Sequence, residues 1–373
     1  MEIATSKTDR KVLHLIGGAD RGGAATHVLS LLDALRRSGE VGLVCLGDGP
    51  LARRASESGL LRAVLRGGPA AQKTALWAVL REERPALLHC HGTRANVLGA
   101  LLKGLFPGPV IATVHSDHTL DYLGRPAAQA LLRPMNAAAL RRMDALVCVS
   151  DAMAALYRLR GFPDVYALYN GLDFDRPLCA PAFAPDGRIV VGTAARLDPV
   201  KDLSTLLRGF APAAEREPRL LLRIAGAGPE AGRLHALAAE LGVAGRVVFH
   251  GWIEDVEGFT ASLHIAALTS LSETFPYALL TAARYGLPVV STDVGGVSAL
   301  VEDGVGGFLF RPGDAAALAA ALSRLSADAQ LRRGMGRALR RRAESRFSLA
   351  AMAERQREIY RQLLQNDRKR DKR

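Results

Sequence analysis

Two cations, Arg196 and Lys201, close the apolar run RIVVGTAARL and precede the helical run LSTLL. A guanidinium fork and an ammonium point charge beside a helix N-terminus suit a diphosphate. The alternative is a pair of surface cations neutralised by Asp198 or Asp202. A carboxylate, Glu273, follows the apolar run HIAALTS and opens SETFPYALLTAARYG. Pro276 suits the first turn of a helix that Gly286 ends. Glu273 is thereby expected on a strand-to-helix loop, where it can accept hydrogen bonds from hydroxyl groups. Thr281 stands eight residues on, at the next inward-facing position. The first apolar run ends in GGADRGGAATH, where Gly17, Gly18, Gly22 and Gly23 precede a helix. Such a loop brings backbone N–H groups close to an anion, or is simply a tight turn. It is not a strict G-x-G-x-x-G, and no acidic ribose partner ends the second strand VGLVCLG. Gly226 and Gly228 make a second glycine turn. His89 and His91 share a strand face, but two ligands without a third give little ground for a metal. A core or edge pair is expected there, and no metal.

These loops need elements to hold them. The runs KVLHLIGG, VGLVCLG, ALLHCHG, PVIATVHS, ALVCVS and VYALYN alternate with helical periodicity. Strands with little alternation, each followed by a helix, imply a parallel sheet covered on both faces. Residues 176–187, RPLCAPAFAPDG, carry no periodicity and read as a linker. The pattern then restarts with RIVVGTAARL, RLLLRIAGAG, RVVFHGW, HIAALTS, LPVVSTD and GGFLF, and residues 327–365 read as two consecutive helices. The fold class is α/β: two doubly wound parallel-sheet domains. Ligands in such folds sit beyond the C-terminal ends of strands, where all the loops above lie.

The length of 373 residues agrees with two domains. The net charge of +12 is concentrated in LRRGMGRALRRRAESRF and NDRKRDKR, and no aromatic residues interleave with it in the manner of a base-stacking surface. Solvated helix faces come first as its explanation, then an anionic membrane surface, then nucleic acid. Cys45, Cys90, Cys148 and Cys179 form no C-x-x-C pair, and reduced thiols in the cytosol are expected. The N-terminus lacks the apolar core of a signal peptide, and no apolar run approaches a membrane span.

Taken together, RGGAATHVLSLLDAL, PALLHCHG, IATVHSD, VSDAM, YNGLDFDRP, ARLDPVKDLSTLL, LRIAGAGPE, VVFHGWIEDV and the long segment from Ser272 to Phe310 resemble the GT-B retaining glycosyltransferases called family 4. The resemblance covers nearly the whole chain. It implies two Rossmann-like domains facing a central cleft: residues 10–176 for the acceptor, completed by a helix at about 347–365, and 177–346 for a nucleotide-diphosphate sugar, with a basic tail at 366–373. It implies that Arg196 and Lys201 neutralise the donor diphosphate, that Gly22 and Gly23 face it, and that His115 lies near the donor sugar. Glu273 would contact the sugar, and the backbone at Trp252 and Ile253 would border the base. Gly226, Gly228, Phe275, Pro276, Tyr277 and Thr281 complete the implied donor-binding set. Asp117 and His118 are acceptor-side candidates, or part of a solvated loop. The sequence departs from the family at three carboxylates, with Thr281, Ala299 and Ala25 at those places. A lost ribose contact weakens ground and transition states alike, so an active enzyme is expected rather than a catalytically silent relative. A nucleotide-sugar epimerase or hydrolase of the same fold is the other alternative. No cofactor is expected beyond the nucleotide-sugar co-substrate. The partners expected are that donor and a sugar, lipid-linked sugar or small-molecule acceptor, with no nucleic acid and with peripheral contact to an anionic membrane allowed. The implied setting is cytoplasmic, at the inner membrane face.

Overall fold

The computed structural model describes residues 11–20, 22–36, 41–119, 126–162, 164–176, 178 and 187–370. The expected linker at 177–187 and Cys179 lie almost wholly, or wholly, outside them. The chain divides into two compact units, 1–171 with 349–373, and 172–348.

The first unit runs β1 (Val12–Gly17), α1 (Gly23–Leu35), β2 (Val41–Leu46), α2 (Pro50–Glu57), β3 (Leu61–Leu65), α3 (Pro69–Glu83), β4 (Leu87–His91), α4 (Thr93–Leu102), β5 (Val110–Val114), α5 (Pro126–Arg141), β6 (Ala145–Cys148), α6 (Asp151–Leu159) and β7 (Val165–Ala167). Its sheet has the order β3-β2-β1-β4-β5-β6-β7, and every pairing is parallel. The chain reverses direction of winding between β1 and β4, which makes their C-terminal ends the switch point. All residues of β2, β4, β5 and β6 are buried, as covering both faces requires. Strand β3 is absent from the expected runs. It is a partly exposed edge strand, and Arg62 in it lies across Gly42 of β2, where a Cβ would meet Arg62 Cγ at 2.7 Å.

The second unit runs β8 (Ile189–Ala194), α7 (Leu203–Arg216), β9 (Leu220–Ala225), α8 (Ala231–Glu240), β10 (Val247–Gly251), α9 (Val256–Ala261), β11 (Ile265–Leu268), α10 (Tyr277–Arg284), β12 (Val289–Thr292), α11 (Val297–Leu300), β13 (Gly307–Phe310), α12 (Ala315–Ala327) and α13 (Ala329–Arg346). Its sheet is parallel, in the order β10-β9-β8-β11-β12-β13, with the switch point between β8 and β11. A last helix, α14 (Leu349–Arg370), returns to the first unit and packs on α1, burying Met352, Ile359, Tyr360 and Leu363. The expected basic tail is helical as far as Arg370. Several of its cations are paired within the helix, Arg357 and Arg361 with Glu354, and Arg355 with Glu358. On α13, Arg333, Arg337 and Arg341 are exposed at four-residue spacing on one face. Among the described residues no helix is long and apolar enough to cross a membrane.

Candidate active site

At the switch point of the second unit, Lys201 lies in a 3₁₀ turn, Pro199–Lys201, ahead of α7 rather than in the helix itself. Asp202 follows with a left-handed φ of 42° and caps the helix through Thr205. That conformation is costly for a non-glycine residue and turns the chain sharply after Lys201. The loop after β11 is laced onto this turn. The Thr269 hydroxyl donates to the Lys201 carbonyl at 3.0 Å, and the Leu271 N–H to that of Val200 at 2.8 Å. The result is a charged contact between residues far apart in sequence: Lys201 Nζ donates to Glu273 Oε1 at 2.6 Å. Ser270 Oγ donates to the same oxygen at 2.7 Å. The other carboxylate oxygen has no partner among the described residues, so it can accept a hydroxyl. Gly295 and Gly296 close over the loop, with the Gly296 N–H on the Thr274 carbonyl at 2.9 Å. Gly295 has φ 58°, and a Cβ there would meet the Glu273 carbonyl oxygen at 1.7 Å. Only glycine fits.

Arg196 is placed differently. Its side chain is 76% exposed and is paired with Asp198 at 2.9 Å, the surface pairing weighed above. Lys201 is paired with Glu273 instead of Asp202. Gly226 and Gly228 wrap the Arg196 loop: their Cβ atoms would meet the Ala195 and Leu197 carbonyl oxygens at 1.8 and 2.2 Å. Their glycine character is thus fixed by close backbone packing. Trp252 is 58% exposed at the end of β10, with Ile253 beside it. Phe275 is buried against Phe347, ring centroids 4.9 Å apart, so its side chain belongs to the core. Pro276 is the N-cap of α10, which begins at Tyr277. The Tyr277 hydroxyl is buried and has no partner among the described residues. Thr281 is buried on α10, and its hydroxyl donates back to the Tyr277 carbonyl at 3.0 Å. Behind the site, the buried Arg284 guanidinium donates to Glu257 Oε2 at 2.5 Å and to the Arg176 carbonyl at 2.6 Å.

The first unit holds a second constellation that the sequence showed only in part. His14 of β1 is the register partner of His89 of β4. Period-two alternation puts His89 and His91 on that same face, and His115 follows β5. The rings join end to end. Thr113 Oγ1 meets His89 Nε2 at 2.7 Å, His89 Nδ1 meets the Tyr360 hydroxyl at 2.7 Å, and that hydroxyl meets His14 Nε2 at 2.9 Å. His14 Nδ1 meets His91 Nε2 at 2.9 Å, and His91 Nδ1 meets His115 Nε2 at 3.1 Å. His14, His89 and His91 offer nitrogens within 4.8 Å of one another. Yet both nitrogens of each ring are engaged in the chain, so an ion would have to displace these bonds. Burial, then neighbouring histidines, pushes His89 and His91 well below the ordinary imidazole range; burial, then His27, does the same to His115 and takes His14 to about 3. His27 of α1 is held at about 4 by burial, against an opposing bond from Nδ1 to Asn170 Oδ1 at 2.9 Å. Its Nε2 is buried without a partner among the described residues. His14, His27 and Tyr360 were not singled out in the sequence; the alternating parity of His14 in β1 was the available signal.

Gly22 is the N-cap of α1, and its N–H is taken by Asp20 Oδ1 at 2.8 Å. That donor is therefore engaged by the protein. Gly23 is the first residue of α1. Asp117 and His118 do not form a solvated loop. Asp117 holds Arg160 through two bonds of 2.7 and 2.8 Å, and His118 Nδ1 meets the buried Tyr157 hydroxyl at 2.5 Å. Burial opposes ionisation of Asp117, but Arg160 and Thr119 outweigh it and hold the carboxyl near 2. Cys45, Cys90 and Cys148 are buried free thiols, with burial raising Cys45 to about 11.

Two family profiles match the chain. The one described as Glycosyl transferases group 1 matches residues 188–328, and the one described as Glycosyltransferase Family 4 matches 21–176. The phosphatidyl-myo-inositol mannosyltransferase of Mycolicibacterium smegmatis is 30% identical over 334 residues, 84% of this chain and 83% of that one. The lipopolysaccharide core biosynthesis glycosyltransferase LpsE of Rhizobium meliloti is 28% identical over 264 residues, 68% of each. Among solved structures, Anabaena HepE in complex with UDP-glucose superposes with a TM-score of 0.80 at 21% identity, covering 95% of this chain and 100% of that one. That likeness shows the fold.

Proposed function

Because the chain belongs to the group 1, family 4 glycosyltransferases and has the GT-B fold, we propose that it moves a sugar from a nucleotide-diphosphate sugar to an acceptor hydroxyl with retention of configuration. The observation that carries this reading is the Lys201–Glu273–Ser270 contact at the switch point of the second sheet. It sets a cation for a leaving phosphate beside a carboxylate oxygen for sugar hydroxyls. Charge develops on the departing β-phosphate. Lys201, the exposed Arg196 and the backbone of the turn ahead of α7 stabilise it by electrostatic preorganisation. Arg196 exchanges its Asp198 contact for the diphosphate, which is cheap for so exposed a pair. Glu273 orients the sugar and is not a nucleophile. The leaving phosphate accepts the acceptor's proton on the face it vacates. The protein's own cations cover the diphosphate, so the transfer needs no metal and no cofactor beyond the donor.

The relatives named for lipopolysaccharide core and phosphatidyl-inositol substrates support an acceptor in cell-envelope glycolipid or polysaccharide assembly. The exposed arginines of α13 are compatible with work at an anionic membrane face. The test is a panel of nucleotide sugars and acceptors followed by proton NMR of the anomeric signal at early times. A product with the donor's anomeric configuration is expected; an inverted product refutes the mechanism. A second reading, a silent relative that only binds, is favoured by the Thr281 hydroxyl being turned onto its own helix. Release of nucleotide with no acceptor present would instead indicate a hydrolase.

A further inference from the structure

The chain of imidazoles in the first unit has a property that packing alone does not require. A neutral imidazole has one donor and one acceptor nitrogen, so the hydrogen bonds can run in only two directions. In one, Thr113 donates to His89 Nε2, His89 Nδ1–H to Tyr360, Tyr360 to His14 Nε2, His14 Nδ1–H to His91 Nε2, and His91 Nδ1–H to His115 Nε2. All four rings then carry the proton on Nδ1. In the other, every bond is reversed and all four carry it on Nε2. Any mixture leaves two donors or two acceptors facing each other at 2.7–3.1 Å. His14, His89 and His91 are at most 1% exposed, and His115 is the one ring of the chain that is partly open.

We propose that His14, His89, His91 and Tyr360 form a tautomer lock on His115: the closed hydrogen-bond chain fixes which of its nitrogens carries the proton, and so whether its Nδ1 offers the substrate a donor or an acceptor. The four are positioning residues, and the proposal rests on the reading that His115 meets the substrate. Burying three imidazoles and a phenol where aliphatic residues would pack is expensive unless every polar atom is paired. Here every one is paired, and the chain ends on the one residue that leaves the core. Tyr360 extends the lock to α14, the element that joins the unit from the far end of the sequence.

The test is long-range proton–nitrogen NMR of the full-length protein labelled with ¹⁵N-histidine, which reads the tautomer of each ring. The wild type is expected to show His14, His89, His91 and His115 in one common tautomer. In Tyr360→Phe the phenol between His14 Nε2 and His89 Nδ1 is gone. A buried N–H without an acceptor is the worse of the two orphans, so both rings should turn lone pairs into the gap. His14, His91 and His115 should then carry the proton on Nδ1 and His89 on Nε2. Mixed tautomers in the wild type, or four rings still alike in the variant, would overturn the lock. The wild-type spectrum decides the first point even if the variant does not fold. The readout needs no turnover: a failed activity screen beside the expected spectra would count against the glycosyl-transfer reading alone, and activity beside mixed tautomers against the lock alone.

Discussion

Lowering the pH from about 7.5 to about 5.5 should destabilise the first unit far more than an ordinary surface titration would. Five of its histidines, His14, His27, His89, His91 and His115, are held below the ordinary imidazole pKa in the folded state, principally by burial. Their folded pKa values are depressed, so their stability contribution is complete above the unfolded value of 6.5 and is lost as pH falls below it. The unfolded chain takes up protons there while the folded chain does not. At about pH 5.5 each ring that stays neutral when folded costs about 1.4 kcal/mol. Five rings together approach about 7 kcal/mol, comparable to the whole stability of a typical domain. Local opening around His115 would trim that sum, and a loss of at least about 3 kcal/mol is expected. The two units need separate probes, because a two-unit chain does not unfold in one step. The two tryptophans, Trp77 on α3 and Trp252 after β10, supply them. Urea unfolding of Trp252→Phe, followed by Trp77 fluorescence, should show a midpoint that falls steeply below about pH 6.5. A midpoint independent of pH over that range would refute the placement of these rings as buried and neutral.

Other outcomes follow from single contacts. Glu257→Ala strips the buried Arg284 of its carboxylate and should cost about 2–3 kcal/mol in the second unit, with Glu257→Gln milder; Trp252-monitored melting reads both, and an unchanged Tm would mean that Arg284 reaches solvent. Gly226→Ala forces a Cβ onto the Ala195 carbonyl at φ 136° and should lower the same transition by about 2 kcal/mol or more; a stable variant would mean that the two loops separate freely. Thr281→Ala should change kcat/KM by less than about tenfold, because the hydroxyl serves the helix; a loss of about a thousandfold in steady-state assays would mean that it turns to the ligand.

The strands were legible because parallel strands buried on both faces are nearly continuous apolar runs, as VGLVCL and VIATV show. Strand β3 was not, since an edge strand with Arg62 in it is neither continuous nor strictly alternating. Lys201 and Glu273 were legible by residue type, but their contact was not. It spans 72 residues and depends on β8 lying beside β11, a sheet order that no local pattern encodes. The histidine chain was half visible as His89 and His91. Its other members arrive through strand register, for His14, and through the returning helix, for Tyr360, 271 residues from His89. Asp117 and His118 read as loop polar groups because their partners Arg160 and Tyr157 stand on α6.

The account turns on the loop around Lys201 and Glu273 being a nucleotide-diphosphate site. Its most direct test is a thermal-shift titration with UDP, GDP, ADP and their sugars, run on the wild type beside an Arg196→Ala, Lys201→Ala double variant. Ligand at about 100 times its Kd should add about 2.7 kcal/mol of stability. A shift with one nucleotide that disappears in the double variant is the predicted result and names the base. An equal shift in the variant, or none with any nucleotide, would contradict the assignment.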